Sequence, residues 1–153
     1  MFRKTLMVLV AAVLMAATAA NAQNPYIELL RNDVKTQKVA IITEVMQFTD
    51  EESEIFWPLY REYDVEMAAL SDMRIASLKS YAENYDSLTD EMAKDMADEH
   101  FKLQEKKLKL KKKYYKKFQK SLSPVKAAKV IQLENQIDLL IDVQIASALP
   151  LIE

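Results

Sequence analysis

The chain has 153 residues, half of them hydrophobic and 29% charged, with a formal net charge of −2, no glycine, no cysteine and one histidine, His100. Without glycine, the usual hairpin turns, phosphate-cradling loops and dinucleotide-binding turns lack the residue that gives them positive φ or close backbone approach, so all-β folds and most α/β enzyme folds are disfavoured. The absence of cysteine excludes disulfides and thiolate metal sites, and a lone histidine excludes multi-histidine zinc sites. Catalysis is not expected.

The first 22 residues read as a cleaved secretory signal peptide. Arg3 and Lys4 precede a short apolar run from Leu6 to Ala17, and Ala20-Asn21-Ala22 supplies the small residues of a cleavage site. The run is shorter than the ~20 residues a membrane span needs. Cleavage after Ala22 by the general secretory route leaves 23–153 as one all-helical domain in the periplasm. Its charge is then −4, since Arg3 and Lys4 are lost from 21 bases against 23 acids.

Four helices follow in chain order. Asn24-Pro25 opens the first, with Asn as cap and Pro at the first helical position, and it runs to about Gln47. Thr49-Asp50-Glu51-Glu52 forms a capping box that opens a second, reaching about Tyr85. Pro58 lies inside that helix and should kink it. Thr89, followed by Asp90 and Glu91, caps a third, since acids are favoured at a helix N-terminus. Ser123-Pro124 opens the fourth, which ends near Ala148 before Pro150. The short breaks predict antiparallel neighbours, and the long second helix predicts an elongated, bent, hairpin-like arrangement completed by a second copy, a cradle-shaped homodimer.

The apolar patterning leaves surface to spare. Phe56, Tyr60, Tyr63, Met67, Leu70, Leu78, Tyr81 and Tyr85 form one stripe on the second helix, interrupted by Arg74. Arg74 is expected either to meet a carboxylate or to reach water. On the third helix Phe101, Leu108, Tyr115 and Leu122 recur every seven residues, while Leu103, Leu110 and Tyr114 lie on nearly the opposite side. A helix with two apolar stripes is either sandwiched or keeps one stripe for a partner. In the fourth helix the polar residues Gln132, Glu134, Asn135 and Gln136, with Asp138 and Asp142, point to an inter-helix network or a docking face.

Charge is distributed unevenly. Glu44 to Glu99 holds 16 acids and 4 bases, whereas His100 to Lys129 holds 1 acid and 12 bases. Lys102, Lys106, Lys109, Lys113, Lys116, Lys117 and Lys120 share one flank of the third helix. They either complement the acidic second helix or form an electropositive surface for acidic clients, anionic lipid or a sensor domain. Nucleic acid is not an expected partner. Met92, Met96 and His100, spaced by four, could hold a soft metal ion through two thioethers and an imidazole.

Phe48-Thr49-Asp50-Glu51-Glu52, Leu88-Thr89-Asp90-Glu91-Met92 and Leu122-Ser123-Pro124-Val125-Lys126 stand at three helix starts. Together with the leader they resemble the Leu-Thr-x-x-Gln pattern of the Spy and CpxP periplasmic stress proteins, although Glu52, Met92 and Lys126 replace its glutamine. The similarity is greatest to a group of small exported bacterial proteins that share the Phe56-Trp57-Pro58-Leu59-Tyr60-Arg61-Glu62-Tyr63 segment, with Gln132-Leu133-Glu134-Asn135-Gln136-Ile137 later in the chain. The resemblance implies a cradle-shaped dimer induced by envelope stress that binds unfolding exported proteins without ATP or cofactor. On this reading Phe56, Tyr60, Tyr63, Met67 and Tyr114 hold the client while Lys106, Lys113 and Lys117 steer it. A metal- or stress-sensing module docked on a membrane sensor protein, and a purely structural helical dimer, are the competing expectations.

Overall fold

The computed structural model describes residues 37–152. The expected signal peptide, its expected cleavage site and the expected helix start at Asn24-Pro25 lie outside the described residues. Contacts divide the chain into Met1–Val39 and Ala40–Glu153. In the first unit only 37–39 are described, and they are helical. The described residues contain no strand; they form α1 (37–46), α2 (Asp50–Asn84), a 3-10 turn (Tyr85–Ser87), α3 (Asp90–Ser121) and α4 (Pro124–Ala148).

The starts of α2, α3 and α4 follow from their capping chemistry. The Thr49 hydroxyl accepts the Glu52 backbone N–H at 3.2 Å, and the Glu52 carboxylate accepts the Thr49 N–H at 3.0 Å, so two donors that the helix cannot satisfy itself are matched. Thr89 accepts the Met92 N–H at 3.3 Å, and Ser123 accepts that of Lys126 at 3.2 Å with Pro124 in the first turn. α2 is continuous through Pro58, whose ring nitrogen has no N–H to give the carbonyl of Glu54.

The core of the second unit gathers around an aromatic cluster where α2, α3 and α4 meet. Phe56, Tyr63, Tyr114 and Phe118 have no exposed surface. Phe56 and Phe118 stand 5.4 Å apart between ring centroids, and Tyr63 and Tyr114 likewise 5.4 Å, the latter edge to face. Burying each such side chain contributes roughly 1.5–3 kcal/mol, and a well-set ring pair adds about 0.5–1.5. Ala127, Val130, Leu133 and Ile137 line the buried side of α4, and Ile42 and Met46 are the buried residues of α1.

Polar contacts give the helix register. Glu62 meets Lys117 and Glu66 meets Lys113, so α2 and α3 run in opposite directions. Lys111 and Lys107 meet Asp138, joining α3 to α4. Four fastenings tie α2 to α4 and to the residues just past its end, in the same order along both segments. Glu52 pairs with Lys126, and Tyr60 and Tyr63 with Glu134. Farther on, Arg74 pairs with Asp142, and Tyr81 with the carbonyl of Pro150. Of the two roles open to Arg74, the carboxylate partner is the one realised.

Candidate interaction surface

The five apolar side chains expected to face a client are interior instead. Phe56, Tyr63 and Tyr114 are fully buried, and Tyr60 and Met67 are at most 6% exposed. The physical reason is that α3 and α4 both lean on this stripe. Phe118 and Tyr114 fill its rings from one side, and Glu134 of α4 takes its hydroxyls from the other. The Glu134 carboxyl, 1% exposed, accepts from the Tyr60 hydroxyl at 2.7 Å and from that of Tyr63 at 3.0 Å. Burial, with Glu134 beside them, pushes both phenols far above their ordinary range.

Two of the three steering lysines are paired with acids of α2 while staying partly exposed, at 49% and 37% of their side chains. Lys113 donates to both oxygens of Glu66 at 2.7 and 2.8 Å, and Lys117 to Glu62 at 2.8 Å. Both ammonium groups also sit over the Tyr114 ring, at 5.1 and 4.5 Å from its centroid. The Tyr114 hydroxyl donates to Glu66 at 2.6 Å. Hydrogen bonds from Lys113 and then Tyr114 hold the Glu66 carboxyl below its usual range, and one from Lys117 does the same for Glu62. The expectation that α3 lysines complement the acidic α2 therefore describes Lys113 and Lys117, while Lys106 is exposed. Beside this seam lies an open depression of about 600 Å³, lined by Pro58, Arg61, Glu62, Val65, Glu66 and Tyr114.

The apolar surface that is exposed lies elsewhere. Of the two α3 stripes, Leu103, Leu110 and Tyr114 enter the core; in the other, Phe101 (64%) and Leu108 (54%) are left outside, Tyr115 is half-buried and Leu122 is buried. On α4, Leu139, Leu140 and Val143 are all exposed by more than half. Leu108 and Leu139 line one depression of about 300 Å³ between α3 and α4, whose polar wall includes Lys107, Lys111, Asn135 and Asp138. Burial alone would raise the Asp138 carboxyl, but the hydrogen bond from Lys111 and the charges of Lys107 and Lys111 outweigh it and hold it low.

Sequence reasoning did not single out Leu139, Leu140 and Val143, yet a signal was present. Between Val130 and Ala148 the only charged residues are Glu134, Asp138 and Asp142. Glu134 is buried, Asp138 faces α3 and Asp142 meets Arg74. The outward side of that stretch carries Gln132, Gln136, Leu139, Leu140, Val143 and Gln144 and no charge at all.

Met92, Met96 and His100 do follow one another at four-residue intervals along α3, the two methionines half-buried and the histidine exposed. Among the described residues no three His, Asp or Glu side chains gather as metal ligands would. No described helix is long and apolar enough to cross a membrane. Comparison with known protein families, with characterised proteins and with solved structures finds no match in any of the three.

Proposed function

We propose that the chain is an ATP-independent chaperone or envelope-stress adaptor that works in the periplasm, after loss of its leader and as a homodimer, by holding unfolding proteins reversibly on α4 and the adjoining edge of α3. The observation that carries this reading is the uncharged outward face of α4. There Leu139, Leu140 and Val143 stay exposed although the opposite face of the same helix already closes a core. Glutamines around them and Leu108 beside them make a surface that attracts apolar segments without specifying a sequence. Contacts of this kind are individually weak, which suits a binder that must release its client without nucleotide hydrolysis.

The test is light scattering of a chemically unfolded, aggregating client with and without the purified protein at equal molarity and no ATP. Wild type is expected to suppress aggregation, and the triple variant Leu108→Ser, Leu139→Ser, Val143→Ser to lose most of that suppression with unchanged helical circular dichroism. Suppression by the variant equal to that of wild type would remove the face from the reading. No suppression by a folded wild type would end the chaperone proposal.

A further inference from the structure

The lysines of α3 beyond Phe101 fall into two sets. Lys107, Lys111, Lys113 and Lys117 face neighbouring helices and meet Asp138, Glu66 or Glu62. Lys102, Lys106, Lys109, Lys112, Lys116 and Lys120 are all exposed, and none lines either depression. From the first to the last of these six is about 27 Å at 1.5 Å per residue, several times the ~8 Å Debye length at physiological salt. Glu105 is the single acid within that span. Phe101, 64% exposed, stands at its start.

The geometry points to an anionic phospholipid bilayer as the partner of this ridge, with α3 lying on the surface along 102–120. A lone phosphate or a short acidic peptide would need converging donors or a groove. A row of exposed lysines spread along one helix instead presents an extended field, which a plane dense in phosphates matches. Long lysine stems reach headgroups while Phe101 enters the boundary with the acyl chains. Asp90, Glu91, Asp95, Asp98 and Glu99 precede Phe101 and are repelled by the same plane, so contact is confined to the C-terminal part of the helix. The contact is peripheral, in keeping with the absence of a membrane-crossing helix among the described residues. A second copy laid antiparallel, Phe101 against Leu108, fits the ridge less well: it would crowd Lys102 and Lys106 of both chains around the two-fold axis.

The experiment is co-sedimentation of the purified protein with vesicles of phosphatidylcholine alone and of phosphatidylcholine and phosphatidylglycerol in equal parts. Binding is expected only to the anionic vesicles and should weaken steeply as salt is raised. The variant Lys109→Glu, Lys112→Glu, Lys116→Glu is expected to lose about a hundredfold in partition, and Phe101→Ser about tenfold with the salt dependence kept. All these side chains are exposed, and circular dichroism verifies that each variant is folded. Equal binding to both vesicle types, or charge-reversed protein that binds like wild type, overturns the proposal. So does a failure to bind anionic vesicles, including the case in which charge reversal instead splits a dimer and so assigns the ridge to a second copy. The lysines tested here are not among the client-binding residues, so either proposal can fail while the other stands.

Discussion

Gln47 ends α1 with φ 46°, donating its N–H to the carbonyl of Thr43 at 3.3 Å. This is the left-handed helix-ending position that glycine usually fills, and a chain with no glycine must fill it with a side chain. An L-residue there is strained by about 1–2 kcal/mol, partly offset because glycine loses more freedom on folding. Gln47→Gly is accordingly expected to raise stability by about 0.5–1 kcal/mol, read as a higher urea midpoint at unchanged slope. A neighbouring helix helps finish the same turn, for the Lys129 ammonium of α4 donates to the Val45 carbonyl at 2.7 Å and places a cation where the helix dipole favours one.

At the scale of helices, Glu134 decides how α4 docks on α2. Its carboxyl is the acceptor for two tyrosine hydroxyls that lie in an otherwise apolar cluster. Glu134→Ala would strand both donors and open a void, with an expected loss of about 2–4 kcal/mol in urea unfolding. Glu134→Gln, which keeps an acceptor and the shape, should lose less than half of that. Equal losses for the two variants would show that the two acceptor oxygens matter more than the volume the side chain fills. Much of this architecture is legible in sequence because helix starts are local: Thr49, Thr89 and Ser123 each satisfy a donor three residues on. The polar run around Glu134 is legible as a network for a related reason, since a carboxyl among so many Ile and Leu residues needs partners. What sequence does not reveal is which face a stripe turns to. Periodicity puts Phe56, Tyr60 and Tyr63 on one side of α2, but only the arrival of Phe118 and Glu134 determines that this side is covered. The same holds for α3, where Leu103 and Leu108 belong to equally regular stripes and tertiary contacts alone separate core from surface.

Across the whole described body, charge makes stability depend on pH at both ends. The carboxyls of Glu52, Glu62 and Glu66 are held low chiefly by hydrogen bonds from Lys126, Lys117 and Lys113. At Asp138, burial opposes the fall, but Lys111 and Lys107 prevail. A carboxyl whose folded pKa lies below its unfolded value stabilises the fold above about pH 4 and stops doing so as the pH falls through the lowered value. Tyr60, Tyr63 and Tyr114 are pushed the other way by burial and by their carboxylate partners. Their contribution is complete below the ordinary phenol value of about 10 and declines as the pH rises above it. The melting temperature should therefore be nearly level from about pH 5 to 9 and fall on either side. Above that range, loss of helical ellipticity should accompany ionisation of these phenols at 295 nm. Full tyrosine ionisation with helicity intact would contradict the buried cluster.

The fastenings between α2 and α4 have a consequence for motion. Their counterparts on α4 and just past its end, Lys126, Glu134, Asp142 and the Pro150 carbonyl, stand eight residues apart and meet in turn a carboxylate, two phenols, a guanidinium and a single phenol. The eight-residue interval is about two turns, so a shift of one turn brings none of them onto the next. A slip of one turn, about 5.4 Å, would mismatch all four at once rather than trade one set for another. α4 therefore has one seating on α2, and any sliding rearrangement must first lift the helix away.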